Sequence, residues 1–288
     1  MFTARKRYIV PLPRGRELVL GDRTIVMGIL NITPDSFSDG GVHFDPQRAV
    51  DAGLRMVDAG ADILDIGGES TRPGADPVGV DEELRRVMPV IERLASGTRA
   101  LLSIDTYRAG TAREAVAAGA SIINDISGFQ YDPELAVVAS ETGAAVVLMH
   151  TRGRSREMYE RAVYSDVVSE VTRELDEAIA RAVNGGVSRE AIVLDPGFGF
   201  AKRAEHSYAL LACLSELAAL DRPILSGPSR KSFLREAIGE RSPAEREWGT
   251  AAAVAASILG GAHLVRVHNV LAMTDVTRVT DRILAVGR

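Results

Sequence analysis

A single-domain (β/α)8 TIM barrel is the fold this sequence predicts, and three observations predict it. Eight short apolar runs recur along the chain, each ending in a polar residue that opens a loop. Stretches with helical apolar spacing separate them, which is the alternation of a parallel α/β fold. The length, 288 residues, falls in the range of such a barrel. An open doubly wound sheet is the competing arrangement, but it rarely needs eight such regular units. In a closed parallel barrel the carboxyl-terminal strand ends share one rim, so residues scattered from 31 to 268 would face one cavity.

Residues 1–23 read as an N-terminal extension on the surface, a short hairpin turning at Gly15. Its basic start is followed by Tyr8-Ile9-Val10, which Pro11 and Pro13 interrupt, so it is too short for a secretory signal. The barrel then occupies residues 24–288. Ile25 to Leu30 is nearly all apolar, as suits a strand buried on both faces. Asn31 stands at its end, Pro34 stops the strand, and Gly40-Gly41 lets the loop bend.

Helical spacing runs from Phe44 to Gly60 behind Asp45-Pro46, a cap followed by a first-turn proline. The strand Asp62–Ile66 leads into Gly67-Gly68-Glu69-Ser70-Thr71-Arg72-Pro73-Gly74, then a helix over Asp81–Ala95. Strand Leu101–Ile104 ends at Asp105, helix Ala109–Ala118 follows, and strand Ser121–Ile123 ends at Asn124. Helix Pro133–Glu141 precedes strand Ala144–Leu148, which ends at Met149-His150. A long helix over Asp166–Asn184 comes before strand Ile192–Leu194, ending at Asp195. Helix Ser207–Ala219, strand Pro223–Leu225 and the segment Ser226–Lys231 come next. Helices Phe233–Ala237 and Ala244–Leu259, the strand Leu264–His268 and a helix over Val270–Leu284 complete the pattern.

Composition narrows the class of partner. A hydrophobic content of 46% is ample for a core, and a net charge of −5 argues against nucleic acid or an acidic membrane as the main partner. Cys213 is the single cysteine and forms no intramolecular disulfide, so a reducing cytosol is the easier setting. No apolar run reaches membrane-spanning length.

The expected rim holds Asn31, Glu69, Thr71, Arg72, Asp105, Asn124, Met149, His150, Asp195, Ser229, Lys231, Arg266 and His268. Each alone reads first as a helix cap or turn former. Together they place carboxylates and amides beside several cations. Asp105, Asn124 and Asp195 supply acceptors and an amide donor that suit a flat, hydrogen-bonding heterocycle. Arg72, Arg266 and His268 suit a phosphate or diphosphate, and Asn31 offers one oxygen to Mg2+. Gly197-Phe198-Gly199 is no dinucleotide fingerprint; it allows close backbone approach, with Phe198 or Phe200 stacking, or is a tight turn. Arg152, Arg154 and Arg156 read as a solvated loop.

From Thr24 onward the chain resembles the dihydropteroate synthase family. The resemblance rests on Gly28 to Gly41, Gly67 to Gly74, Ser103 to Thr106, Asn124 to Gly128, Leu148 to His150, Leu194 to Phe200, Ser229 to Phe233 and Arg266 to His268. It implies a sulfonamide-targeted enzyme of the folate pathway that joins 4-aminobenzoate to (7,8-dihydropterin-6-yl)methyl diphosphate and releases diphosphate. By the same resemblance, Asp105, Asn124, Asp195 and Lys231 hold the pterin, with Thr71 and Arg72 on a mobile loop nearby. Asn31 with Mg2+, Arg266 and His268 hold the diphosphate, and with Lys231 they form the implied catalytic set. Phe37, Thr71, Pro73, Phe200, Lys231 and Ser232 border the aminobenzoate.

A homodimer is also implied. Loops 32–41 and 69–76 are expected to close over the site, and the neutral arylamine needs no catalytic base. Ala201 and Ser207 stand where relatives often have glycine and asparagine, and the loop after His150 lacks a usual proline. A pterin-binding methyltransferase and a non-catalytic pterin-binding paralogue are the alternatives.

Overall fold

A computed structural model describes residues 5–33, 45–70, 77–154 and 157–286. A hairpin precedes the eight barrel strands. Tyr8–Leu12 (β1) pairs antiparallel with Arg16–Leu20 (β2), Tyr8 opposite Leu20 and Leu12 opposite Arg16. The turn places Arg14 and Gly15 in the left-handed region, at φ 62° and 69°. Glycine accepts that conformation without a steric penalty.

The barrel strands are Ile25–Asn31 (β3), Ile63–Gly67 (β4), Leu101–Asp105 (β5), Ile122–Asp125 (β6), Ala145–Met149 (β7), Ile192–Asp195 (β8), Leu225–Ser226 (β9) and Leu264–Val267 (β10). They pair in parallel in the order β8-β7-β6-β5-β4-β3-β10-β9. A parallel bridge between Leu194 and Ile224, with Leu194 N–H donating to the Pro223 carbonyl at 2.9 Å, joins the two ends. The expected eight-stranded barrel is therefore present. No described helix is long and apolar enough to cross a membrane.

Helices Pro46–Asp58 (α1), Val80–Gly97 (α2), Ala109–Ala118 (α3), Glu134–Thr142 (α4), Val167–Asn184 (α5), Ala204–Ala212 (α6), Arg235–Ile238 (α7), Glu247–Leu259 (α8) and Val270–Val286 (α9) follow the strands. Local chemistry sets several starts. Asp45 caps α1 by accepting from Gln47 N–H, and Asp166 caps α5 by accepting from Val168 and Ser169 N–H. The expected continuous helix over Ser207–Ala219 is instead α6 followed by a 3-10 stretch, Leu214–Leu220. That stretch buries Leu214, Leu217 and Leu220, a spacing of three that matches the tighter helix.

Two apolar cores result from strand alternation. Val26, Leu30, Leu64, Ile66, Ile104, Ile123, Val146, Leu148 and Leu194 face the helices and pack with them. Ile25, Met27, Ile63, Ile122, Ala145, Val147, Val193, Leu225 and Leu264 form a second cluster with Val10, Leu12, Leu18 and Leu20. The hairpin thus plugs the floor of the barrel instead of lying on the surface as the sequence suggested. Its alternate residues Ile9 and Val19 face outward, which is the two-residue period of a half-buried hairpin. Asp281 of α9 holds the adjoining segment, accepting from Arg5 at 2.6 Å and from Thr24 N–H at 2.7 Å.

Candidate active site at the barrel rim

Strand register brings distant residues side by side. Asn31 lies beside Gly67, Gly67 beside Asp105, and Asp105 beside Asn124; Met149 lies beside Asp195 further round. Glycine at 67 gives Asp105 its room, since a Cβ there would stand only 3.3 Å from the Asp105 Cβ. The cleft above is lined by Asp105, Asn124, Met149, Asp195, Phe200, Lys231 and Arg266 among others. It holds about 370 Å³ of atom-free space including its mouth, within the range of small-molecule sites.

Arg266 organises the floor of this cleft. Its Nε donates to Asp65 Oδ2 at 2.6 Å and its Nη2 to Asp105 Oδ2 at 2.7 Å. Asn124 Nδ2 donates to the same Asp65 oxygen at 2.9 Å. Asp195 is oriented separately, by Gly197 N–H at 2.7 Å. Lys231 Nζ lies 3.8 Å from the centre of the Phe200 ring. The cluster therefore holds three carboxylates, Asp65, Asp105 and Asp195, against two cations, Arg266 and Lys231.

Burial sets the protonation of these groups. It pushes Asp105 up to about 7, against the pull of Arg266 and with the help of Asp65. A proton on Asp105 would bring the cluster to neutrality. Burial likewise raises Asp195, with the Gly197 N–H opposing. It brings Lys231 down to about 8, and Arg266 pushes in the same direction. Burial alone would also lower Arg266, but Asp65 and Asp105 outweigh it, so the guanidinium stays charged. A site with titratable groups poised near neutrality in a cleft is the usual signature of chemistry.

The structure brings Asp105, Asn124, Asp195, Lys231 and Arg266 into one cleft, with Met149 and Phe200 on its wall. Ser229 and His268 sit together, the Ser229 hydroxyl 3.0 Å from His268 Nδ1 and accepting from His268 N–H at 3.2 Å. Ser232 follows Lys231 in a short 3-10 turn. Phe198 and Phe200 both border the cleft; Phe198 is 1% exposed and packs on Phe233, and Phe200 is the ring beneath Lys231. Phe37, Thr71, Arg72 and Pro73 lie outside the described residues, as does most of the two loops expected to close. Glu69 accepts from the Tyr107 hydroxyl at 2.8 Å and from Arg108 at 2.6 Å, so it serves that loop's base.

Asp65 was not among the expected rim residues, because it sits inside a strand and not at its end. The available signal was a lone charge at an inward position, two residues before Gly67. Its Oδ1 and the Ser103 hydroxyl, neighbours in register, are buried without a partner among the described residues. His150 turns away from the cleft, to Lys202 Nζ at 2.7 Å and Glu174 at 2.9 Å. The basic run after it is solvated at Arg154, which is exposed, but not at Arg152. Arg152 pairs with Glu170 and Glu174, and Arg154 lies over the Tyr131 ring at 4.4 Å; Arg156 lies outside the described residues.

For Mg2+, the donor set is small. Asn31 presents one amide-bearing side chain at the end of β3, and no cluster of three or more His, Cys, Asp or Glu suited to a metal occurs among the described residues. That set fits Mg2+ only if substrate oxygens and water complete its six positions, which is how this ion usually binds phosphate esters.

Comparison with known proteins agrees with this geometry. A family model described as pterin binding enzyme matches residues 27–268. A dihydropteroate synthase of Synechocystis is 47% identical over 272 residues, 94% of each chain. A structure of Xanthomonas albilineans dihydropteroate synthase with 4-aminobenzoic acid is 46% identical, with a TM-score of 0.88, and covers 96% of this chain and 99% of its own. The same organism's enzyme in complex with 7,8-dihydropteroate is 43% identical with a TM-score of 0.85, over the same shares of the two chains.

Proposed function

This chain belongs to the pterin-binding enzyme family, and we propose how its rim performs the reaction of the dihydropteroate synthases within it. The reaction condenses 4-aminobenzoate with (7,8-dihydropterin-6-yl)methyl diphosphate to give 7,8-dihydropteroate and diphosphate. The observation that carries the mechanism is the Arg266 clamp, in which one guanidinium sits between Asp65 and Asp105 at the floor of the cleft.

Asp195, Asn124 and Asp105 present acceptors and an amide to the polar edge of the pterin, and Lys231 supplies a donor beside them. Arg266 Nη1 has no protein partner among the described residues, so it is the nitrogen that meets the diphosphate, with His268 nearby on the same segment. The carbon–oxygen bond to diphosphate breaks, and both electrons leave with the diphosphate. Cations placed where that charge grows lower the barrier. The positive charge left on the methylene spreads into the pterin ring, above the carboxylates. The arylamine nitrogen then bonds to that carbon and releases its proton to solvent. Asn31 would hold Mg2+ together with substrate oxygens, and the ion when bound would add to the neutralisation of the leaving group.

Mixing both substrates with Mg2+ and measuring diphosphate tests the reaction: a methyltransferase or a silent binding protein releases none. The clamp has its own test. Arg266→Ala should lower turnover by about 100- to 1,000-fold while weakening free pterin binding far less. Equal losses in both would refute the assignment.

The working form is a homodimer in the cytoplasm. In support, α9 carries an apolar stripe in Leu271, Val279 and Ile283, and Trp248 of α8 is 84% exposed. Sedimentation should give twice the chain mass, and Val279→Glu should halve it.

A further inference from the structure

The loop after β8 is an unusual piece of backbone. Gly197, Gly199 and Ala201 all have left-handed φ, at 69°, 74° and 47°. A Cβ on Gly197 would stand 2.1 Å from the His150 carbonyl oxygen, so the two backbones touch. Within itself the loop makes one backbone hydrogen bond, Phe200 N–H to the Gly197 carbonyl at 3.1 Å. Side chains from elsewhere supply the rest of its support.

Lys202 is the centre of that support. It is 1% exposed, and its Nζ donates to the Phe200 carbonyl at 3.0 Å, the His150 carbonyl at 3.3 Å and His150 Nδ1 at 2.7 Å. Because Nδ1 accepts, the neutral imidazole carries its proton on Nε2, which donates to Glu174. Burial, then the Lys202 charge, hold His150 down to about 4 and keep it neutral. Glu174 also takes Arg152, whose guanidinium lies 4.0 Å from the Tyr164 ring centre. The Tyr164 hydroxyl donates to the Ala201 carbonyl at 3.0 Å. The contacts start at Phe200 and return one residue later.

A buried ammonium is costly, and a methionine would fill the same space without that cost. What a methionine cannot do is hold two carbonyl groups together. One of them belongs to Phe200, whose ring borders the cleft beneath Lys231. We infer that Lys202 is a positioning residue for the aminobenzoate half of the cleft, acting by fixing the backbone of Phe200. The inference rests on the reading that Phe200 borders the arylamine, and it adds a residue that touches neither substrate.

The test compares Lys202→Met, Phe200→Ala and the double variant in the full-length chain, measuring KM for each substrate. Phe200→Ala should raise KM for 4-aminobenzoate about tenfold or more. Lys202→Met should raise it by a similar factor, leave KM for the pterin diphosphate within about twofold, and add little in the double variant. A purely structural lysine would lower the active fraction, and so turnover, without this selective change. Lys202→Gln, which keeps one amide donor, is read by the same criteria if Lys202→Met yields no folded protein. Unchanged or equally raised KM values in the lysine variants, with Phe200→Ala behaving as expected, overturn the inference alone. An inert Phe200→Ala overturns the reading of the cleft and the inference with it.

Discussion

Replacing Asp65 with asparagine removes a charge on which two rim donors converge. Asp65 is 0% exposed, and its Oδ2 accepts from both Arg266 and Asn124, at 2.6 and 2.9 Å. Asparagine keeps the shape and one acceptor oxygen, but loses the charge. A hydrogen bond to a charged group contributes about 1.5–3 kcal/mol and an ordinary one about 1 kcal/mol. If most of the first and part of the second are lost, the clamp weakens by about 2–4 kcal/mol. Expressed in the transition state, that is a fall in kcat/KM of roughly 30- to 1,000-fold.

A second readout follows from charge. Asp105 is raised to about 7 mainly by burial, and the neighbouring Asp65 adds to that rise. An anion nearby disfavours a second anion, so removing it favours ionised Asp105 and lowers its pKa. Asp105 must be charged to hold Arg266 and accept from the pterin. The acid limb of kcat/KM in Asp65→Asn should therefore move to lower pH. The assay is the pH profile of both proteins, with circular dichroism to confirm the fold. A kcat/KM within threefold of wild type, or a limb that moves upward, would sink the clamp as an explanation of activity.

Leu20→Ala should cost about 2–5 kcal/mol, because Leu20 is wholly buried in the barrel floor. At about 2.1 cal/mol/K per residue, that lowers the calorimetric Tm by roughly 3–8 °C, whereas a surface appendage would leave it unchanged. His263 is pushed down from 6.5 to about 4, by burial first, while the Lys6 carbonyl it donates to opposes. Its neutral form contributes stability that is complete above pH 6.5 and lost as pH falls toward 4, about 3 kcal/mol in all. His263→Gln should flatten the pH dependence of Tm across that window in part, since His150 titrates in the same direction. Asn31→Ala should raise the Mg2+ needed for half-maximal activity roughly tenfold, with free pterin binding, measured by calorimetry, unaltered.

The rim was legible because parallel barrels obey one rule: the polar residue that ends each strand faces the same cavity. Asn31, Asp105, Asn124 and Asp195 could be read as rim residues from that rule; the register pairs Asp105 with Asn124, and sets Asn31 across Gly67 from Asp105 and Asp195 beside Met149. Asp65 escaped because its strand, Ile63 to Gly67, is otherwise apolar, and its partner Arg266 lies 201 positions away. Lys202 escaped for a similar reason, since His150 is 52 positions off and only packing brings them together. The hairpin itself was readable, but its seat was not. Its floor is assembled from seven different strands, none of which advertises a vacancy in its own sequence. Local periodicity likewise could not separate a spacing of three from one of 3.6 over Leu214 to Leu220.

The plugged floor also bears on how the chain is made. Residues 8–20 leave the ribosome ahead of every barrel strand, yet the socket they fill includes Leu264, and Arg5 is tied to Asp281, 276 positions later. The hairpin is therefore made before the barrel but seated among its last parts, and its greasy side must wait for nearly all of the barrel strands. Such distant pairing slows folding and leaves sticky surface uncovered in the interval. A nascent chain halted before α9 would keep its base unsealed, which makes the final helix as much a latch for completion as a wall of the barrel.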